Sequence, residues 1–339
     1  MIAIHRKFHS IDGVFRAFTG LRVLVAGDVM LDSYVWGDVQ RISPEAPVPV
    51  VQIRRREKRA GGAGNVAMNI ASLGATPVLV SLTGKDDAGN ALQKILADRG
   101  METGGILRSG NRHTSVKERI ISGPQHLLRV DEESIKNLDD KENKSLLGRI
   151  EKFLPSCHLV ICEDYDKGLF GNENISAIIH MAHQQGIPVA VDPKRKNFRE
   201  YRNADLFKPN FSEIKDGMKA ELDKGDIRKL KQEVKSLVKK LSLGSVLVTL
   251  SEYGIYYGSP AQSIYIKAHK REIADVSGAG DTVISIAGLC LAMGLPPRFT
   301  AALSNLGGGL VCEQQGVVPV DREHLAREAK REKLDTLLK

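Results

Sequence analysis

The chain has 339 residues, of which 42% are hydrophobic, so it can form one large domain with a sizeable apolar core. This composition excludes intrinsically disordered and collagen-like proteins. Lysine and arginine exceed aspartate and glutamate by 49 − 41 = 8 residues, which suits an anionic ligand such as a nucleotide, a sugar phosphate or a nucleic acid.

The predicted elements begin with a helical pattern over residues 1–19, followed by a buried strand at 21–27. From residue 76 onward, short β-branched runs alternate with amphipathic helical segments, which is typical of a mostly parallel, helix-flanked sheet. The predicted strands are 77–82, 158–163, 187–191 and 245–250, and the predicted helices are 88–99, 172–185, 226–242, 279–293, 298–314 and 321–335. The pattern predicts an α/β fold.

Two strand-like segments, 48–53 and 114–121, interrupt this alternation because no packed helix separates them from their neighbours. They predict a small β lid formed by residues 33–56 and 112–130. We expect a helical extension at residues 1–20 and a main domain at residues 21–339.

Several features limit the partners and the location of the protein. The densest basic run, residues 54–59, contains no aromatic residue, so we favour a solvated strand end over a nucleic-acid surface. The four cysteines form no CxxC pair and are expected to be buried free thiols. No apolar run approaches the ~20 residues of a membrane span, and the N-terminus has no signal-peptide core. We expect a cytoplasmic protein that binds neither nucleic acid nor membrane.

A motif of small and acidic residues, DVSGAGDT at 275–282, precedes an apolar helical pattern. Small residues at a helix start let backbone N–H groups approach a ligand, and these groups bind anions together with the helix dipole. Within such a site, Asp281 fits a general base that accepts a proton from a hydroxyl attacking a phosphoryl group. Taken alone, the motif fits a helix N-cap and a tight turn equally well.

A second glycine-rich motif, GGAGN at 61–65, runs into another helical pattern. It is typical of an anion-binding turn, or of a backbone platform for a sugar whose hydroxyls bond to Asn65. It is neither a P-loop nor a GxGxxG dinucleotide fingerprint.

Two polar segments follow predicted strands, KPNFSE at 208–213 and TLSEYG at 249–254. In a parallel sheet, both lie outside the carboxyl ends of strands, where ligands bind in open α/β folds. As isolated turns, they predict nothing further.

In this order, the four segments resemble the ribokinase-like, or PfkB, family of carbohydrate kinases, and the resemblance extends from Leu21 to about Val320. It implies a three-layer α/β sandwich with a β lid and transfer of the ATP γ-phosphoryl group to a sugar hydroxyl. The catalytic base of the family corresponds to Asp281. Its anion hole corresponds to Gly278, Ala279 and Gly280.

The resemblance also implies nucleotide and metal sites. The N-x-x-E element of the family corresponds to Asn210 and Glu213, which would contact the triphosphate and the water shell of Mg²⁺. Thr249, Ser251 and Gly254 would border the nucleotide. A monovalent cation such as K⁺ would lie beside Asp275 and Ser277, although the segment QGVVPV at 315–320 departs from the family's Gly-Thr-Ala-like loop.

Four further segments resemble one branch of the family, the bacterial heptose 7-phosphate kinases. They are GDVMLD at 27–32, RISPEAPVPV at 41–50, DYDKG at 164–168 and DPK at 192–194. This branch implies that D-glycero-D-manno-heptose 7-phosphate is phosphorylated at its anomeric C1 hydroxyl, for ADP-heptose and lipopolysaccharide core synthesis.

The branch implies a sugar site in which Asp32 and Asn65 bind hydroxyls. The other predicted substrate residues are Gly61, Gly62, Asp164, Arg41, Arg129 and Lys167, and Lys117 is a further cation available to the distal phosphate. Arginine suits bidentate phosphate binding. A surface charge is the alternative for each cation, and we favour it for Lys117.

The resemblance includes the kinase half of bifunctional kinase/adenylyltransferase proteins, but the chain contains no H-x-G-H element of the second half. We therefore expect a separate nucleotidyltransferase to act next, and a homodimer whose lids pair. One alternative is a kinase for another phosphosugar, such as a ketohexose phosphate. Another is a non-catalytic sugar-sensing module, which would require the loss of Asp281.

Overall fold

The structure is a computed structural model, and it describes residues 8–123 and 125–339. The helices are α1 (Ile11–Phe18), α2 (Ala63–Ser72), α3 (Asp87–Ala97), α4 (Asp140–Phe153), α5 (Asn172–Gln184), α6 (Phe211–Met218), α7 (Ile227–Leu241), α8 (Ala279–Ala292), α9 (Pro297–Val311) and α10 (Arg322–Arg331). The strands are β1 (Arg22–Gly27), β2 (Val29–Ile42), β3 (Pro49–Gly62), β4 (Thr76–Gly84), β5 (Ile106–Ser109), β6 (Ser115–Ser122), β7 (Gln125–Glu132), β8 (Leu159–Glu163), β9 (Val189–Asp192), β10 (Leu206–Phe207), β11 (Ser245–Thr249), β12 (Ile255–Gly258) and β13 (Ser263–Ile266).

Nine strands form a large sheet in the order β13-β12-β11-β10-β9-β8-β1-β4-β5. The strands from β11 to β5 run parallel, and β12 and β13 continue the sheet by antiparallel pairing. The central strands β1 and β8 are apolar over residues 23–27 and 159–162, because helices cover both of their faces.

Helices on the two faces of this sheet enclose two apolar cores. One core contains side chains of α1, α2, α3, α8, α9 and α10. The other contains side chains of α4, α5, α6 and α7. The predicted three-layer α/β sandwich is confirmed.

A second sheet of four strands, in the order β3-β2-β6-β7, forms the predicted lid. It begins directly after β1, and β3 leads back from it into α2. The strand predicted at 48–53 was too short, since β3 continues to Gly62 through the basic run. Within that run, Arg55 and Arg59 lie over the rings of Trp36 and Tyr34 on β2, at 5.1 and 5.0 Å, so charged side chains pack along the strand.

The N-terminal helix packs into the first core through Ile11, Val14, Phe15 and Phe18. It confirms the predicted helix for residues 11–18, whereas residues 1–7 of that prediction lie outside the described residues. All four cysteines, Cys157, Cys162, Cys290 and Cys312, are buried free thiols, as predicted. Each helix in the described ranges is too short or too polar to cross a bilayer.

Candidate active site

The carboxyl ends of the parallel strands meet at one edge of the large sheet, where the predicted site residues collect. β10 and β11 end near Asn210 and Thr249, and β8 and β9 end at Glu163 and Asp192. At β1 the chain enters the lid instead of a helix. The edge therefore runs from the β11 side to the lid side, with the ends of β8 and β9 between them.

Asp281 is buried in the first turn of α8, between these two sides. Its Oδ2 accepts a hydrogen bond from Nδ2 of Asn65 at 2.6 Å, and its Oδ1 accepts one from the hydroxyl of Tyr165 at 2.9 Å. The N-cap position belongs to Gly278, so the side chain of Asp281 does not cap its own helix. The alternative interpretation of Asp281 as an N-cap was wrong. The two donors fix the carboxylate and leave lone pairs for a further proton.

Burial raises the pKa of Asp281 to about 6, against the lowering effect of the hydrogen bonds from Asn65 and Tyr165. A carboxyl group with such a pKa is mostly ionised at pH 7, yet it is more basic than an exposed aspartate. Burial also raises the pKa of Glu163 well above its ordinary value, and the charge of Asp192 raises it further.

The start of α8 depends on Gly278, which has a φ of 80°. A Cβ at this position would also lie 2.8 Å from Nδ2 of Asn65, so glycine permits both the backbone turn and the close approach of α2. The first N–H groups of a helix lack acceptors within the helix. In α8 these groups, from Ala279 to Asp281, form the positive end of the helix dipole and suit an anion.

At the lid side, the predicted sugar residues surround the start of α2. The carboxylate of Asp32 is buried on β2, and its Oδ1 accepts a hydrogen bond from Arg119 at 2.5 Å. A Cβ on Gly61 would collide with this carboxylate, so the strand pairing requires glycine there. Gly62 caps α2, which places Asn65 in its first turn. The structure therefore brings these predicted residues together.

The inner face of the lid carries several cations. Arg119 lies opposite Tyr34 on one side and Arg129 on the other, so these three side chains share a face. The sequence prediction did not include Arg119, although its two-residue spacing from Lys117 in a predicted strand indicates a shared face. Arg129 is exposed and binds Asp131 at 2.9 Å.

The remaining predicted cations lie at different places. Arg41 is exposed at the far end of β2 from Asp32. Lys117, on β6 of the lid, and Lys167, in the loop after β8, both contact Glu133, at 3.8 and 2.6 Å. Their roles in phosphate binding stay predictions.

The loop after β8 is clamped by Asp28, which lies directly after β1. Its carboxylate accepts hydrogen bonds from the N–H groups of Tyr165, Lys167 and Leu169 at 2.9, 3.1 and 3.2 Å. This clamp directs the ring of Tyr165 to Asp281, a contact that the sequence did not predict. A tyrosine next to a predicted ligand is its only sequence signal.

Asp164 points away from this contact into the protein interior. Its carboxylate accepts hydrogen bonds from the N–H group of Asp166, from Asn197 and from Tyr201, at 2.8, 2.9 and 2.7 Å. All three donors belong to the protein itself, so in this structure Asp164 stabilises the loop after β8. Its predicted contact with sugar stays a prediction.

At the β11 side, Asn210 and Glu213 form a reciprocal capping box at the start of α6, with bonds of 2.9 and 2.7 Å. The other carboxylate oxygen of Glu213 binds Nζ of Lys194 at 2.6 Å. Thr249 forms a bridge to Asn210 across the strand ends. Ser251 and Gly254 bound the tight turn that follows β11, and both have positive φ angles. The polar residues Asn210, Glu213, Thr249 and Ser251 therefore lie at the β11 side of the sheet edge.

The predicted monovalent-cation residues lie in the loop before α8. The carboxylate of Asp275 accepts hydrogen bonds from the N–H groups of Ser277 and Gly316, both at 2.9 Å. Burial acts to raise the pKa of Asp275, but these hydrogen bonds outweigh it and lower the pKa. The neighbouring carbonyls of Gln315 and Val317 accept hydrogen bonds from the guanidinium of Arg59. These carbonyls are thus already bound to a cationic group of the lid.

The chain matches the family model described as pfkB family carbohydrate kinase over residues 21–323. It is 40% identical to the bifunctional protein HldE of Koribacter versatilis over 303 residues, which cover 89% of this chain and 62% of that protein. It is 41% identical to the bifunctional protein HldE of Pseudomonas savastanoi over 311 residues, covering 91% and 64%. The chain thus spans less than two thirds of the length of these relatives.

Solved structures share the fold at low sequence identity. Phosphofructokinase-2 from Escherichia coli, in complex with substrates and products, has a TM-score of 0.76 and 18% identity, covering 94% of this chain and 99% of that one. Ribokinase from Arabidopsis thaliana, complexed with ribose and ATP, has a TM-score of 0.69 and 16% identity, covering 91% and 99%. The family match, the relatives and the common fold together show that this chain belongs to the pfkB family of carbohydrate kinases.

Proposed function

We propose that this kinase transfers the γ-phosphoryl group of ATP to the C1 hydroxyl of D-glycero-D-manno-heptose 7-phosphate, giving heptose 1,7-bisphosphate. One observation carries the proposal. Buried Asp281 lies between the segments that end β10 and β11 and the pair Asp32 and Asn65 beside the lid. This order supports a phosphoryl donor and an acceptor on opposite sides of one base.

In the proposed reaction, Asp281 accepts the proton of the C1 hydroxyl as its oxygen attacks the γ-phosphorus, and the bond between that phosphorus and the β–γ bridging oxygen breaks to release ADP. Asn65 and Tyr165 hold the two carboxylate oxygens in place, and the N–H groups at the start of α8 stabilise charge on the phosphoryl oxygens. Mg²⁺ would neutralise charge on the triphosphate when bound. The carboxylate of Glu213 fits this ion because Mg²⁺ prefers oxygen ligands and retains water.

Three observations support heptose 7-phosphate as the acceptor. The segments at 27–32, 41–50, 164–168 and 192–194 resemble heptose 7-phosphate kinases. The relatives at about 40% identity are named bifunctional protein HldE. The inner lid face adds Lys117, Arg119 and Arg129, and Lys167 binds Glu133 next to Lys117, so cations are available to a phosphate far from the reacting hydroxyl.

A ketohexose phosphate is the second candidate acceptor. Phosphofructokinase-2 from E. coli, in complex with fructose-6-phosphate, shares the fold at a TM-score of 0.74 and 18% identity, covering 92% of this chain and 100% of that one. The sequence segment at 41–50 supports heptose over this alternative.

Two further parts of the proposal concern a monovalent ion and assembly. A K⁺ ion beside Asp275 and Ser277 is proposed from the family resemblance, and a structure of E. coli phosphofructokinase-2 is described as a complex with potassium. Pairing of two chains through their lids is proposed because lid strands carry exposed apolar side chains, among them Ile42, Leu128 and Val130.

The substrate assignment is tested by steady-state kinetics with ATP, Mg²⁺ and three acceptors. They are heptose 7-phosphate, unphosphorylated heptose and fructose 6-phosphate. The proposal predicts the highest kcat/KM for heptose 7-phosphate. Equal or greater kcat/KM for fructose 6-phosphate would assign the second candidate, and no turnover of any phosphosugar would contradict both.

A further inference from the structure

Two side chains of the lid bind a segment between α9 and α10, residues 315–317. The hydroxyl of Tyr34, on β2, accepts a hydrogen bond from the N–H group of Val317 at 2.9 Å. Nη1 of Arg59, on β3, donates to the carbonyls of Gln315 and Val317, both at 3.0 Å. Three hydrogen bonds therefore join this segment to the lid.

The contact between segment 315–317 and the lid is close. Tyr34 is fully buried, and the guanidinium of Arg59 lies over its ring at 5.0 Å. Gly316 has a φ of 75°, and a Cβ there would lie 2.7 Å from Nη1 of Arg59 and 3.0 Å from Cζ of Tyr34. Glycine permits both this backbone conformation and this approach, so the segment packs directly against the two lid side chains.

The same segment also contacts the start of α8. The N–H group of Gly316 donates to Oδ2 of Asp275 at 2.9 Å, and Oδ1 of that carboxylate accepts from the N–H group of Ser277 at 2.9 Å. A Cβ on Gly278 would lie 3.4 Å from the side chain of Val317, so the segment lies against the turn that begins the helix. The segment is therefore placed between the lid and the predicted anion hole.

Tyr34 also contacts the predicted sugar site. The guanidinium of Arg119 lies over the ring of Tyr34 at 5.2 Å and binds the carboxylate of Asp32. Asp32 in turn lies opposite Arg59 in the pairing of β2 with β3. The strands that carry this predicted sugar ligand thus also carry the two side chains that hold segment 315–317.

We propose that Tyr34 and Arg59 are positioning residues, which hold the start of α8 in the arrangement that binds the transferring phosphoryl group. This role, which rests on the proposed kinase reaction, is exerted through segment 315–317 and Asp275. The turn before α8 consists of small residues, with Gly278 at a φ of 80°, so its own side chains do little to fix it. A misplacement of about 1 Å at such a site can lower the rate by about 10²-fold.

Steady-state kinetics with ATP, Mg²⁺ and heptose 7-phosphate test the role of Tyr34. Tyr34→Phe keeps the ring and removes only the hydroxyl that accepts from Val317. We expect kcat to fall about tenfold, with the KM for sugar within about twofold of wild type. Tyr201→Phe is the matched control, since it also removes a buried hydroxyl from a hydrogen bond, and it is expected to keep the wild-type kcat. Equal losses of kcat in the two variants, or a change in KM alone, would overturn the proposal.

Arg59→Met tests the second positioning residue, because it keeps an apolar stem and removes the donors to the two carbonyls. Arg55→Met is its matched control. Arg55 lies on the same strand, over the ring of Trp36, and pairs with Glu57 as Arg59 does, but within residues 8–123 and 125–339 it forms no hydrogen bond to segment 315–317. We expect kcat to fall about tenfold in Arg59→Met and to stay at the wild-type value in Arg55→Met. Equal values of kcat in these two variants would contradict the role of Arg59.

The double variant tests whether the two residues act on one segment. Because Tyr34 and Arg59 hold the same three residues, the combined loss of kcat is expected to be smaller than the product of the single losses. A combined loss equal to that product would show that the two side chains act independently, which contradicts the proposal.

Nucleotide binding without sugar separates this proposal from the substrate assignment. Calorimetry with Mg²⁺ gives the affinities for ADP and for the β,γ-imido analogue of ATP, which alone carries a γ-phosphoryl group. Tyr34→Phe and Arg59→Met are expected to weaken binding of the analogue at least about threefold more than binding of ADP. An unchanged ratio in both variants would contradict the proposal, and if Tyr34→Phe does not fold, Arg59→Met supplies the same comparison. The ratio does not depend on which sugar is the acceptor, so it holds or fails independently of the heptose assignment.

Discussion

Asn65, in the first turn of α2, donates a hydrogen bond of 2.6 Å to Asp281, in the first turn of α8. The two glycine-rich motifs of the sequence therefore form one structural unit. Farther along the same two helices, Thr282 donates to the side chain of Asn69 at 3.0 Å, which fixes how the helices pack. The carboxylate of Asp281 and the amide of Asn65 are thus held in a fixed arrangement before any ligand binds.

Replacing Asp281 by asparagine is expected to retain the fold and ATP binding and to lower kcat by ~10²–10⁴-fold, because the change removes a general base at nearly constant volume. The measurement is kcat with saturating ATP and phosphosugar, together with the affinity for ATP. A variant that keeps more than half of the wild-type kcat would show that Asp281 is not the base.

Replacing Tyr165 by phenylalanine tests the second hydrogen-bond donor to Asp281, the proposed base. The ring would still contact Lys117 and Lys194, which lie 5.6 and 4.9 Å from its centroid, but the hydroxyl that holds Oδ1 of Asp281 is lost. We expect kcat to fall about tenfold with the KM for ATP unchanged, since a hydrogen bond to a charged group contributes roughly 1.5–3 kcal/mol.

Tyr201→Phe is the matched control for this change. It removes a hydroxyl bonded at 2.7 Å to a different aspartate, Asp164, and is expected to lower stability but not kcat. Equal losses of kcat in the two variants would indicate a general structural effect instead of a specific role for Tyr165.

Replacing Glu213 by glutamine is expected to raise the Mg²⁺ concentration needed for half-maximal activity more than it raises the KM for sugar. The change removes a negative charge from the segment proposed to contact the water shell of Mg²⁺. Activity is measured while Mg²⁺ and phosphosugar are varied independently. Equal changes in both constants would count against this role.

Replacing Arg129 by alanine tests whether the lid recognises the distal phosphate. Arg129 is well exposed, so we expect a loss near the lower end of the roughly 1.5–3 kcal/mol range, about tenfold in kcat/KM for heptose 7-phosphate. Unphosphorylated heptose should hardly change.

Arg54→Ala is the matched control, because Arg54 is an exposed lid arginine bound to a carboxylate, that of Asp38, at 2.7 Å. It should leave kcat/KM for both sugars unchanged. If Arg129→Ala lowered kcat/KM equally for the two sugars, Arg129 would not be a phosphate ligand.

The alternation of apolar runs with amphipathic segments predicted most of the large sheet and its flanking helices, because burial on two faces leaves a strong periodic signal. Helix α4 was not predicted, since only Leu146 and Ile150 of its 14 residues are buried and the rest of the helix is mostly polar. The lid strand β3 was predicted too short for a related reason, since its charged residues pack against aromatic rings of β2.

The two glycine-rich motifs predicted Asp281 and Asn65 near helix starts, and the resemblance to heptose 7-phosphate kinases added Asp32 to the sugar site. Contacts that depend on strand register and loop direction leave no motif in the sequence. Arg119 reaches Asp32 only through the pairing of β2 with β6, and Tyr165 reaches Asp281 only through the clamp formed by Asp28. Glu163 is a single carboxylate at a strand end in the sequence, and its partners become apparent only in the parallel register of β8 and β9.

Phosphorus NMR of the product tests the central claim most directly. The purified chain is incubated with ATP, Mg²⁺ and heptose 7-phosphate, and the sugar product is separated and examined. The account predicts two phosphorus resonances of equal intensity on one sugar, the original 7-phosphate and a new phosphate coupled to the anomeric proton, with one ADP formed per sugar. A new phosphate on any other carbon, or ADP formed without a sugar bisphosphate, would contradict it.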